Sequence, residues 1–168
     1  MNKVKLLLVF LSIVGLIWGC QSTQPKVNLE GKIQLPPGSK VHVEEVVNDT
    51  KEILDVDVIG LFWDALNLAL RKKSLLWLGE PGVRPLQLQA HVLKYKKGNA
   101  VQRWTMPGFG STVLDARIDL KDGDRLLGSI AVHRTVATGD GLTRGGWRKV
   151  FTDAAEDAIT ALLTNSAP

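Results

Sequence analysis

The sequence predicts an α+β fold within the α/β class: a two-layer sandwich, with a mixed, mostly antiparallel sheet of about five strands and two helices packed on one face. Three observations predict it. Several short runs alternate apolar and polar residues at the two-residue period of a half-buried strand. Two longer runs repeat apolar residues every three or four positions, the stripe of an amphipathic helix. The polar side of the strand pattern leaves one sheet face wet, so both helices are expected on the other.

Taken in order, residues 40–47 set Val41 and Val43 against His42 and Glu44 and read as the first strand. Over residues 57–72, Ile59, Phe62, Leu66, Ala69 and Leu70 fall on one helical stripe. Arg71, Lys72 and Lys73 sit where the helix dipole favours cations. Residues 74–78 form a short apolar run ended by Gly79, Pro81 and Gly82, which predicts a second strand. A third strand is expected over residues 85–94, where Leu86, Leu88, Ala90 and Val92 alternate with Gln87, Gln89 and His91.

Two further strands, residues 111–120 and 125–135, meet at Lys121-Asp122-Gly123. Parity selects the turn. A two-residue Asp122-Gly123 loop would set Leu114, Ala116 and Ile118 on a different face from Ile130 and Val132. A three-residue loop with Gly123 left-handed puts Leu114, Ile118, Leu126, Ile130 and Val132 on one face and places Asp119 opposite Arg125. The chain closes with a helix over residues 147–163, striped by Val150, Phe151, Ala154, Ala158, Ile159 and Leu162.

Ahead of this domain the chain has a different character. Lys3 and Lys5 precede an apolar stretch over residues 6–18 that ends at Gly19-Cys20. A basic start, a short apolar region and a small residue before the stop describe a secretory signal, too short to span a bilayer permanently. Cys20 is the only cysteine among 168 residues. Ile17-Trp18-Gly19-Cys20 resembles the lipobox of bacterial lipoproteins, with Trp18 standing where that family prefers a small residue; the bland alternative is an ordinary cleaved signal with a chance cysteine. The resemblance implies cleavage before Cys20 and acyl chains on it, palmitate among them. Two buried chains hold a protein stably on a membrane at about 0.8 kcal/mol per methylene. In lipoproteins of the enteric type, a residue other than Asp after the cysteine, here Gln21, implies the outer membrane, with the domain facing the periplasm.

The expected organisation is therefore a signal peptide over 1–19, a lipidated tether over 20–39 and a single domain over 40–168. Ser22, Thr23, Pro25, Pro36, Pro37 and Gly38 carry the tether reading. A sulfur carrying lipid forms no disulfide and serves neither as nucleophile nor as ligand, so the core alone must hold the fold. Without the signal, 19 basic residues face 17 acidic ones. Their interspersion argues against a nucleic-acid partner.

Two loops invite a functional reading. The first is the run over residues 98–111, in which Arg103 and Trp104 precede Pro107-Gly108-Phe109-Gly110. Pro107-Gly108 fits a type II turn, and Gly110 permits a bulge as the next strand begins. Arg103, Trp104, Gly108, Phe109 and Gly110 form the candidate binding edge, against the plainer reading of a hairpin whose aromatics enter the core. This run, with the alternating strand after it, the Asp122-Gly123 turn, a second strand, a glycine-rich loop and a closing helix, resembles bacterial lipoproteins of the domain of unknown function 4410 family from about residue 40 to the end. The resemblance implies a small envelope lipoprotein and assigns no activity.

The second loop spans residues 138–146, with Gly139, Gly141, Gly145 and Gly146 beside Arg144 and Arg148 before a helix start. Such a start can hold an anion. It lacks the Gly-Lys-Ser/Thr ending of a nucleotide loop and carries Asp140, so a connection capped by Thr143 is the plainer reading.

His42, His91 and His133 fall on the outer sheet face, but no ligand spacing supports zinc. The expectation is a non-catalytic binding or assembly module, anchored to the membrane through Cys20, with an envelope protein as possible partner and no cofactor, metal or nucleic acid. The alternative is a small periplasmic hydrolase of cell-wall or lipid material using Asp115, His133 or Asp140 as acid or base.

Overall fold

The computed structural model describes residues 26–31, 33, 35–54, 56–99, 102, 110–136 and 146–164. Five strands form one sheet: β1 (Lys26–Glu30), β2 (Val41–Asn48), β3 (Leu86–Lys96), β4 (Thr112–Asp122) and β5 (Arg125–Val136). Their order is β1-β5-β4-β3-β2, with only the β2–β3 pair parallel. Helices α1 (Val58–Lys72) and α2 (Lys149–Thr164) pack on one face, α2 preceded by a 3-10 turn over Gly146–Arg148. The expected two-layer α+β arrangement is the observed one.

Strand alternation builds the core. Leu88, Ala90 and Val92 of β3, Leu114, Ala116, Ile118 and Leu120 of β4, and Ile130 and Val132 of β5 all face inward and are buried. Phe62 of α1 and Phe151 of α2 meet at 6.4 Å between ring centroids, and Tyr95 stacks on Phe151 at 5.5 Å. Tyr95 reaches the core because a bulge between Val92 and Lys94 reverses the parity of β3. Leu93, at the bulge, is left exposed.

The β4–β5 turn corrects the sequence reading in its detail. Asp122 pairs with Arg125 across a two-residue Gly123-Asp124 loop with Gly123 at φ +59°, and a bulge between Leu120 and Lys121 then shifts the register so that Asp119 meets Ser129. The extra residue of the bulge restores the parity that a three-residue loop would have supplied. Leu114, Ile118, Ile130 and Val132 therefore share a face as expected, whereas Leu126 is exposed.

Two elements near the ends also differ. Residues 74–78 do not form a strand; Leu76 makes a single parallel bridge to Val41 before Gly79 and the Pro81-Gly82 turn end the pairing. The fifth strand is instead β1, which pairs antiparallel with β5 inside the stretch expected to be a tether. Val27 and Leu29 alternate with Lys26, Asn28 and Glu30, too short a run to stand out between prolines. After β1, Ile33 is fully buried and occupies the space that a side chain at Gly128 would need: a Cβ there would lie 2.4 Å from Ile33 Cγ1. Folded chain thus begins by Lys26.

Both helix ends of α1 are chemically defined. The Asp57 carboxylate accepts from the Gly60 backbone N–H at 2.8 Å, satisfying a free donor of the first turn. At the other end Ser74 adopts φ +58°, with Ser74 N–H donating to Arg71 O and Leu75 N–H to Leu70 O, the paired bonds of a Schellman closure.

Candidate functional site

The topology fixes what shares each end of the molecule. The N-terminus of β1, the C-terminal ends of β2, β3 and β5, the start of β4 and the N-termini of both helices lie at one end, which we call the anchor end after the lipid that the sequence leads one to expect at Cys20. The connections over residues 97–111 and 137–148 both leave the sheet there. Cys20, Arg103, Trp104, Gly108 and Phe109 lie outside the described residues, as do Gly139, Asp140, Gly141, Thr143, Arg144 and Gly145.

The described residues do show the base on which the 99–109 connection stands. Gly110 has φ +72°, a conformation that favours glycine. Gly98 lies so close to the returning chain that a Cβ on it would fall 2.1 Å from Gly110 O and 2.6 Å from Ser111 C. Its N–H donates to Oγ1 of the fully buried Thr112 at 3.1 Å. Two glycines and a buried hydroxyl therefore bring the two feet of the candidate binding run together.

The polar sheet face forms a second cluster. His91 Nδ1 lies 2.8 Å from Asp49 Oδ2, and its Nε2 lies 3.8 Å from Asp119 Oδ2. The Ser129 hydroxyl donates to Asp119 Oδ1 at 2.6 Å, and Arg117 Nε lies 3.4 Å from the same oxygen. Gln89 bridges Glu45 and Lys121. One row along, His133 Nδ1 contacts Asp115 Oδ1, and Thr135 Oγ1 lies 3.2 Å from His133 Nε2.

This order of hydroxyl, imidazole and carboxylate is the kind that polarises a hydroxyl, and the sequence reading pairs neither Thr135 nor Asp49 with a histidine. The signal is present in alternation, since His133 and Thr135 are two residues apart on one strand face. His42 does not join either group: its ring meets Trp77 edge-on at 5.6 Å. Among the described residues no three His, Cys, Asp or Glu side chains are grouped to hold a metal ion.

An ionic cluster links sheet and helix. Arg134 of β5 lies 3.1 Å from Asp157 and 3.6 Å from Asp153, both on α2, and Lys149 pairs with Asp153 at 2.7 Å. The Arg134–Asp157 contact is an ion pair off the N–H direction rather than a well-aligned hydrogen bond. Desolvation beneath α2 pushes the Asp157 carboxyl above its ordinary pKa, opposed by Arg134 and reinforced by the charges of Asp153 and Glu156.

At the anchor end an open groove of about 490 Å³ runs along the start of α1, lined by Val56, Ile59, Trp63, Trp147 and Arg148, with Asp57 and Asp64 on its polar side. Lys97 Nζ and the Arg148 guanidinium each lie 5.4 Å from the centre of the Trp147 ring. Among the described residues no helix is long and apolar enough to cross a membrane.

The fold is that of a small two-layer α+β domain with one polar, open sheet face. Crystal structures of one other protein share that fold. PelC from Paraburkholderia phytofirmans, crystallised as a dodecamer, superposes with a TM-score of 0.60 at 18% identity, covering 83% of this chain and 97% of PelC. A single-residue variant of that PelC, also a dodecamer, gives the same values. A protein of Caulobacter crescentus CB15, provisionally described as a lipoprotein, aligns over 73% of this chain and 86% of its own at 15% identity, with a TM-score of 0.36. No family model and no curated protein matches the chain, so the likeness to the domain of unknown function 4410 family rests on the short motifs quoted above.

Proposed function

We propose that this chain is a lipid-anchored bacterial envelope lipoprotein whose domain serves as a non-catalytic binding or assembly module on the periplasmic side of the outer membrane. The observation that carries the reading is Ile17-Trp18-Gly19-Cys20 at the end of a secretory signal, followed within a few residues by folded chain. The short motifs favour the 4410 family. The binding edge would be the connection bearing Arg103, Trp104, Gly108, Phe109 and Gly110, presented at the closed base formed by Gly98 and Thr112. Because PelC is a dodecamer in its crystals, the partner we favour first is another copy of this chain.

Fractionation tests the anchor and crosslinking tests the edge. The native protein should sediment with membranes and Cys20→Ser should leave them; a Cys20→Ser protein that stays with the membrane would remove the anchor. Photo-crosslinkers at positions 103 and 109 should trap a second copy or another envelope protein more efficiently than one at position 140. Equal yields from all three positions would sink the binding edge.

One observation favours a second reading, a small hydrolase of cell-wall or lipid material: the Thr135, His133 and Asp115 order on the open sheet face. That reading requires ester hydrolysis by the purified protein that is lost in His133→Ala and in Thr135→Ala. The binding reading expects no such difference.

A further inference from the structure

We infer that the anchor end of the domain rests on the lipid surface itself, with Ile53, Trp63 and Trp147 entering the headgroup region of anionic phospholipid. The inference builds on the lipid anchor proposed at Cys20.

Reach comes first. Only five residues, six peptide steps, separate Cys20 from Lys26, about 20 Å when fully extended. Lys26 stands opposite His133, three residues from the last residue of β5, so the chain enters the domain at the anchor end. The opposite end lies along most of a 12-residue strand, about 40 Å in full at 3.3 Å per residue. A lipid held at Cys20 keeps the anchor end near the bilayer and the other end away.

What is exposed at that end matches an interface. Ile53, in the connection from β2 to α1, is fully exposed, and Trp63 on the first turns of α1 is 41% exposed. Trp147, half-buried and edge-on to Phe151, borders the same groove as Trp63, and tryptophan is the residue that settles at headgroup level. Lys97 and Arg148 lie over the Trp147 ring, Lys96 ends β3 at the same end, and both helix N-termini point the same way. Glu52, Asp57 and Asp64 sit at this end too. Asp57 is engaged as the cap of α1.

The test uses the full mature protein, with Cys20 acylation verified by mass, in vesicles of phosphatidylethanolamine and phosphatidylglycerol. A fraction of the lipid carries bromine on acyl carbons near the headgroup. Tryptophan emission should be quenched, and Trp63→Phe or Trp147→Phe should each reduce the quenched fraction. Trp77→Phe, at the opposite end, should raise it by removing an unquenched emitter. Ile53→Glu, which alters no buried contact, should at least halve the quenching. An acylated protein with no quenching, or with equal effects of Trp63→Phe and Trp77→Phe, overturns the docking surface and leaves the anchor standing. Loss of quenching as protein concentration rises would assign the groove to a second copy and also overturn it. Absence of acylation removes the anchor and this inference with it.

Discussion

Close approach of backbone to backbone makes Gly98 the least replaceable position among those near the candidate edge. A methyl group there meets Gly110 O and Ser111 C, neither of which can move without opening the base of the connection. Gly98→Ala should cost about 2 kcal/mol or more in chemical denaturation, in the range of strain and packing losses. Gly38→Ala is its control, since nothing lies within 4 Å of that site and its cost is confined to φ +81°. The glycine at 98 is visible in the sequence, but the contact partner that makes it necessary is not, because that partner is brought in by pairing between β3 and β4.

Asp157 supplies the residue-scale pH prediction. Its folded-state pKa is raised, so the folded chain binds the proton more tightly than the unfolded chain. The stability this gives is fully present below the ordinary carboxylate pKa and is lost as pH rises through the folded value. Asp157→Asn should therefore gain on the native protein as pH climbs from about 3 to 7, read as a narrowing or reversal of the difference in melting temperature. A constant difference across that range would show that Arg134 neutralises Asp157 completely.

At the scale of elements, the helices are legible because a stripe of 15 or 16 residues repeats its signal several times. Bulges are not. A single extra residue at Leu93 turns Tyr95 inward, and another beside Leu120 restores the parity of the β4–β5 pair; neither has a sequence mark apart from the side chains it re-aims. The strand β1 escapes notice for a similar reason, being five residues in which only Val27 and Leu29 are apolar.

Two element-scale predictions follow from α1 and α2. Ser74 occupies the left-handed position that closes α1, which costs a side-chain-bearing residue about 1 kcal/mol. Ser74→Gly should raise stability by about 0.5 kcal/mol after the added freedom of the unfolded chain is counted. Phe151, touched by Phe62, Tyr95 and Trp147, joins both helices to β3. Phe151→Ala should cost about 3–5 kcal/mol in urea unfolding.

For the molecule as a whole, the sheet divides the labour. Its inner face and the two helices make a core with no disulfide to help it, and its outer face carries paired carboxylates, histidines and a guanidinium in cross-strand rows. Loops leave the anchor end, where the chain also enters, so the proposed anchor, the candidate binding edge and the Trp63 groove are gathered on one side. The sequence carries the proposal of an anchor through Cys20, and makes the wet face legible through alternation of His91, Asp119 and His133. It does not make legible the Asp49–His91 pair or the closed base at Gly98 and Thr112, which depend on strand order.

Everything about the cellular setting depends on Cys20, and the mass of the N-terminal peptide of the native, membrane-extracted protein tests it most directly. The account predicts that the peptide begins at Cys20 and carries a diacylglyceryl group on its sulfur, with or without a further acyl chain on its amine. A peptide that retains residues 1–19, or one that contains Cys20 as a free thiol, would contradict it.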